Sequence, residues 1–248
     1  MAEVVTGEKN HLEVHLERWR RRKRSARWWM AGGILLFLAG PAFTKPMYSL
    51  FGLLIVSVSA MVMRRTSREL EVLGVGLEGE KEAEEAFSNL PGEYVIYSDL
   101  EIEADGKVSQ VDHVVVGPTG VFVVETKNVY GRVVGNADDA DWTQFKTTES
   151  GHVYEKQMYS PVKQVGTHVY RLAERLKEEQ IHVWVQGIVY FVHPDTKVEM
   201  TGFSKIPVFS AGDEGTEKLM DFILASNRKP LSKEIRERIG EVLSDCLM

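Results

Sequence analysis

With 248 residues, of which 44% are hydrophobic and 27% charged, the chain has enough apolar material to bury a core and is not a disordered polypeptide. Its single cysteine, Cys246, excludes an internal disulfide, and no Cys/His cluster shows zinc-ligand spacing, so nothing calls for an oxidising compartment or a structural zinc. The net charge of -6 hides a division: residues 1–68 carry 12 Lys/Arg against 4 Asp/Glu, and residues 69–248 hold the remaining 18 against 32, which makes the second part a poor non-specific binder of phosphate backbones.

Residues 1–27 read as a basic N-terminal segment ending in ERWRRRKRSAR. Two uncharged runs follow, WWMAGGILLFLAGPAF (28–43) and MYSLFGLLIVSVSAMVM (47–63). As helices they would reach about 24 to 26 Å at 1.5 Å per residue, slightly less than the ~30 Å hydrocarbon layer, with flanking tryptophan and arginine making up the difference. The expectation is a transmembrane hairpin over 28–63. Seven Lys/Arg lie in ERWRRRKRSAR before the first run, three lie in RRTSR after the second, and only Lys45 lies between, so the positive-inside bias puts both ends in the cytoplasm. That predicts a multi-pass protein of the cell membrane, in contact with the bilayer through 28–63. The arginine-rich stretch reads as an orientation signal and lipid-headgroup contact, and a nucleic-acid arm is the alternative.

Residues 64–75 read as a linker ending in Gly74-Val-Gly. In 77–90 the apolar residues at 83, 86, 87 and 90 have the spacing of a helix with one buried stripe. β-rich runs then cover 93–100, 109–117 and 120–128, divided by the turn-formers EADGK and GPTG, with RVVGN (132–136) a further short strand and DWTQF (141–145) an edge piece. Helical periodicity returns over 155–180, beginning near Pro161. VWVQGIVYFVH (183–193) is apolar on both faces and reads as a central strand, KIPVFSA (205–211) as another. Helices over 214–226 and 232–246 follow, the second capped by Ser232. The class is α/β (α+β): a mixed sheet flanked by helices over 76–212, with C-terminal helices in 213–248 packing on it.

The stretch DHVVVGPTGVFVVETK (112–127) puts three charges around an apolar interior. If GPTG is a four-residue hairpin loop, Val116 faces Val121 and Asp112 stands opposite Glu125 on one face, with Lys127 two residues on. Two carboxylates that close repel unless one is protonated, a cation lies between them or an ammonium compensates. Oxygen ligands of this kind suit magnesium or manganese. If Gly120 instead forms a bulge, the count slips by one and Glu125 opposes His113. Both registers fit the apolar pattern, and a plain carboxylate–lysine ion pair fits the composition.

Gly-Glu on a helix, VDHVVV, a tight turn, VFVVETKN, Gly131, Trp142 with Gln144, and SPVKQ at a helix start resemble, as an ordered set over about 76–180, the nuclease-related domain of the PD-(D/E)xK nuclease superfamily. The resemblance implies a restriction-endonuclease-like mixed sheet and a metal-dependent nuclease using Mg2+ (or Mn2+). By motif, Asp112 and Glu125 would ligate the metal, Lys127 would orient and help deprotonate the attacking water, Glu80 would be an additional acid reaching the metal, and Gln164 would position groups at the site. Ser160 stands where the family has asparagine. The function so implied is a membrane-anchored nuclease hydrolysing phosphodiester bonds, in DNA rather than RNA; the alternative is an inactive nuclease-like domain serving as a membrane-tethered binding or signalling module. A protein partner or a second copy is one source of the positive charge that the acidic domain lacks.

Around this set, Glu84 shares a helix face with Glu80 and reads as a solvated residue. His113 is expected to pack on the reverse face and His168, one turn after Gln164, to be a surface or packing histidine. Trp142 reads as a core or rim aromatic more than a base-stacking platform. No P-loop, GxSxG elbow or Cys/His nucleophile pair is present.

Overall fold

The structure is a computed structural model describing residues 1–8, 10–43, 46–147, 151–225 and 230–247. The chain divides into two compact units, residues 11–77 and residues 1–10 with 78–248.

The first unit holds α1 (His11–Ala39), a 3-10 turn (Gly40–Phe43) and most of α2 (Pro46–Ser88). Its helices meet backbone to backbone. A methyl group on Gly52 would lie 2.5 Å from Phe37 N and 2.6 Å from Gly33 O, so only glycine permits this approach, the packing that small residues allow between apolar helices. Outside that contact Trp28, Leu35, Leu38, Leu50 and Met61 are exposed.

Of the two expected spans, α2 alone is long and apolar enough among the described residues to cross a membrane. The α-helical part of the first apolar run covers residues 28–39, about 18 Å at 1.5 Å per residue, and the turns before it are densely basic. α2 runs without a break through residues 64–75, the expected linker. Gly74 and Gly76 each cost a helix only about 1 kcal/mol relative to alanine, and the Arg, Glu and Leu residues around them favour it.

In the second unit a six-stranded sheet has the order β1-β2-β3-β4-β8-β10, built from β1 (Glu3–Thr6), β2 (Val95–Ala104), β3 (Lys107–Gly117), β4 (Gly120–Lys127), β8 (Val185–Phe191) and β10 (Val208–Ser210). The central hairpins are antiparallel, and β1, β8 and β10 run parallel to their neighbours. Asp105 (φ 53°) and Gly106 (φ 67°) turn β2 into β3, the left-handed pair that a two-residue hairpin needs. β1 lies inside the segment read as merely basic. Val4 and Val5 fill the open edge beside Ile96 and Tyr97, a pairing partner too distant in sequence for local periodicity to reveal.

The remaining strands form a second sheet, β7-β6-β5-β9, from β5 (Gly131–Asn136), β6 (Asp141–Thr147), β7 (Val153–Tyr159) and β9 (Thr196–Thr201). A single mixed sheet was expected, with DWTQF at an edge; β6 instead sits between β5 and β7. Residues 155–159, read as the approach to a helix, are strand, and α3 (Pro161–Glu178) starts at the proline. β7 and β9 expose most of their residues and so carry little apolar alternation to read.

One face of the large sheet packs on α3 and α5 (Lys233–Ser244), through Val114, Val116, Val121 and Val123 against Val165, Leu172, Leu176, Ile239 and Leu243. The other packs on the end of α2 and on α4 (Thr216–Leu224), through Val115, Phe122, Val124 and Ile188 against Phe87, Leu219 and Ile223. Each such fully buried side chain contributes roughly 1.5–3 kcal/mol relative to exposure. Ser232 caps α5 as expected, accepting from Ile235 N–H at 3.3 Å.

His113 lies on this second face, fully buried, with Nδ1 3.1 Å from Ser98 Oγ and its ring edge-on to Phe87. Burial pushes its pKa down to about 4, against the opposing pull of Glu125 and Asp99. A histidine lowered in the folded state stabilises fully above its unfolded pKa, near 6.5, and that contribution is lost as pH falls from 6.5 through 4. The full loss is about 3 kcal/mol at 1.36 kcal/mol per pH unit. Thermal melting of the full chain should therefore drop between pH 7 and pH 4.5 by more for wild type than for His113→Gln, whose amide does not titrate.

Candidate active site

The hairpin decides the site. Gly117 pairs with Gly120, Val116 with Val121 and His113 with Val124, so the bulged register does not occur and the next step of the count sets Asp112 opposite Glu125. Both acids share the face of Val114 and Val123, the side covered by α3. Asp112 is half-buried and its Oδ2 accepts from the Thr126 N–H at 2.8 Å. Glu125 is 2% exposed.

Lys127 closes the group. Its Nζ donates to Glu125 Oε1 at 2.6 Å and to Gln164 Oε1 at 3.0 Å. Gln164 is delivered by the first turn of α3, where buried Ser160 caps the helix and accepts from Lys163 N–H. Serine thus does the capping that asparagine would do, as both carry a suitable oxygen. α3 lies close over the sheet because Gly187 leaves room: a Cβ there would stand 3.0 Å from Val169 Cγ2.

The same helix brings His168, 7% exposed, to the site, with Nε2 3.3 Å from Glu125 Oε2 and without hydrogen-bond geometry. Its one-turn spacing from Gln164 was the available signal, and only the depth of the helix over β4 turns a packing histidine into a neighbour of the buried acid.

Glu80 comes from α2 and is 8% exposed. A Cβ on the preceding Gly79 would fall 2.5 Å from Asn128 Cβ, so glycine lets the helix approach the end of β4. Asn10 Nδ2 donates to Glu80 Oε2 at 2.8 Å, a contribution from the N-terminal segment that no motif announced.

Burial, the Glu125 carboxylate and, to a smaller degree, Glu80 push the Asp112 carboxyl well above the ordinary carboxylate range, against Lys127 and the Thr126 N–H. Burial also opposes charge on Glu125. There the Lys127 ammonium and the His168 contact win, and hold its pKa below the usual value. Lys127 in turn is raised despite its burial by Glu125 and Asp112. The site therefore holds one firm carboxylate, one firm ammonium and one acid inclined to keep its proton.

Stability alone is a poor reason for such a group. A buried ion pair is commonly neutral or unfavourable relative to apolar residues of the same volume, although removing one partner costs about 3–5 kcal/mol. Among the described residues no group of three or more His, Cys, Asp or Glu side chains forms a ready-made metal cage. The donors still suit a hard divalent cation, since Asp112 and Glu125 converge and Glu125 Oε2 is buried without a hydrogen bond. Trp142 and Gln144 prove structural: both are buried, Trp142 Nε1 donates to Asn136 O at 3.0 Å and Gln144 Nε2 to Tyr130 O at 2.7 Å.

An uncharacterised protein of Bacillus anthracis is 41% identical over 71 residues, which cover 28% of this chain and 34% of that protein, so the chain matches about a third of the relative's length. No solved structure matches. Residues 75–192, which contain Asp112, Glu125, Lys127, Glu80 and Gln164, match the family described as the nuclease-related domain.

Proposed function

We propose that the protein is a metal-dependent nuclease, held at a membrane by residues 28–63 and hydrolysing phosphodiester bonds in DNA. The observation that carries this reading is the convergence of Asp112 and Glu125 beside Lys127, with Glu125 Oε2 buried and without a hydrogen bond. Asp112 and Glu125 would hold Mg2+ or Mn2+, with Glu80 reaching it through water. Such an ion supplies Lewis acidity at the phosphate and an acidified water.

The protein's own groups do the placing. Lys127, its pKa raised against its burial by Glu125 and Asp112, orients an incoming water and offsets phosphate charge. Gln164 fixes the ammonium by accepting its second hydrogen bond. His168 lies against the other oxygen of Glu125 and supports that carboxylate as an anion.

Membrane attachment is supported by the length and apolarity of α2 and by the apolar side chains that the helices of residues 28–63 turn outward. The basic residues at both ends of that region favour a cytoplasmic position for the nuclease-related domain. The second reading, a binding module without catalysis, is favoured by two features: Lys127 already closes on Glu125, and no three-acid cage exists among the described residues.

The full chain in detergent micelles should cleave plasmid or single-stranded DNA with magnesium or manganese, and Glu125→Ala or Lys127→Ala should slow cleavage about 100-fold or more. Equal cleavage by wild type and Lys127→Ala would assign the activity to a contaminant. Absence of both cleavage and metal binding would leave the binding-module reading.

After lysis without detergent, the full chain should sediment with membranes and be released by detergent but not by high salt. Recovery in the soluble fraction would remove the membrane from the proposal.

A further inference from the structure

The acidic balance of residues 69–248 leaves a bound strand in need of holding forces other than general charge attraction. Trp142 does not supply them, being fully buried. The small sheet offers a different set. Tyr130 and Tyr154 are 41% and 46% exposed, and their hydroxyls lie 3.5 Å apart. Lys146 Nζ stands 4.5 Å from the centre of the Tyr130 ring.

The register explains the grouping. Lys146 pairs with Tyr154 and Gln144 with Lys156, so Lys146, Tyr154 and Lys156 rise from the same face of β6 and β7. Gln144 anchors the Tyr130 carbonyl from that face, which puts the exposed tyrosine beside this row. Tyr130 also follows Lys127 by three residues, no more than about 11 Å of chain. The Tyr130 ring is 6.0 Å from that of His193, two residues beyond Phe191, which pairs with Lys127. Aromatic rings and ammonium groups therefore continue directly from the strand end that carries Glu125 and Lys127.

Scattered exposed tyrosines are ordinary. Two exposed tyrosines whose hydroxyls lie 3.5 Å apart, with amines on the same face and next to a candidate phosphodiesterase site, match what a single strand needs: rings that stack any unpaired base and cations that meet its phosphates. Duplex DNA keeps its bases stacked inside and offers such rings nothing comparable. We propose that Tyr130 and Tyr154, with Lys146 and Lys156, form a stacking platform that leads a single nucleic-acid strand to Lys127. This rests on the nuclease reading and names its substrate class, single-stranded or frayed nucleic acid.

The test is fluorescence anisotropy of the full chain in detergent micelles, with EDTA to prevent cleavage. The probes are labelled oligothymidylate and oligouridylate of about 20 nucleotides, and a duplex of the same length. Wild type should bind the single strands more tightly than the duplex, with the thymidylate and uridylate arms separating DNA from RNA. Tyr130→Ala and Tyr154→Ala should each weaken single-strand binding about tenfold. Tyr→Phe at either position, which keeps the ring, should bind as wild type does, and Lys146→Ala with Lys156→Ala should flatten the salt dependence.

The proposal is overturned if wild type binds neither single strand, if Tyr130→Ala and Tyr154→Ala both bind them as wild type does, or if Tyr→Phe is as damaging as Tyr→Ala. Cleavage by wild type under any of those outcomes would keep the nuclease reading while removing the platform. Ring-dependent binding without cleavage under magnesium would keep the platform and remove the nuclease.

Discussion

A buried carboxylate is the constraint around which the sheet-bearing unit is organised. Glu125 is almost without solvent, and its charge persists only because Lys127 and His168 stand against it. Each needs its own support: Gln164 for the ammonium, and the depth of α3 over β4 for the imidazole. Gly187 sets that depth and Ser160 fixes where the helix begins. A change in any of them would be felt at the acid, since an unpaired buried charge costs several kcal/mol whereas an exposed pair is worth at most about one.

The division into two sheets follows from the same strand end. Where Lys127 ends β4, the chain leaves the large sheet, turns at Gly131 (φ 93°) and begins the small one. Trp142, seated over Gly135, carries the core across, and Gln144 ties the small sheet back to Tyr130. Residues that a motif search would rank with the chemistry thus build the wall beside it. That wall exposes the rings of Tyr130 and Tyr154 beside Lys146.

The two units divide the chain's charge. The excess of basic residues lies in α1 and in the middle of α2, at Arg64, Arg65 and Arg68, and the excess of acidic ones in the sheet-bearing unit. The N-terminal residues before α1 nevertheless belong structurally to the sheet-bearing unit: β1 extends its sheet and Asn10 bonds Glu80. An acid proposed for the site is therefore oriented in part by residues at the opposite end of the sequence from its motif neighbours.

The central hairpin and the identity of the charged residues were legible in the sequence, because Pro118 and Gly120 define a tight turn and alternation along a strand fixes which residues share a face. Pro161 and Ser232 marked helix starts for an equally local reason. Which of two registers the hairpin adopts was not legible, since valines on both faces fit either, and packing on both sides selected the one that unites Asp112 with Glu125. The edge strands β1, β7 and β9, the closeness of His168, and the continuity of α2 through Gly74 and Gly76 also belonged to the tertiary structure. Each depends on partners distant in sequence, and the energy those partners contribute exceeds the small local preferences that a single segment can express.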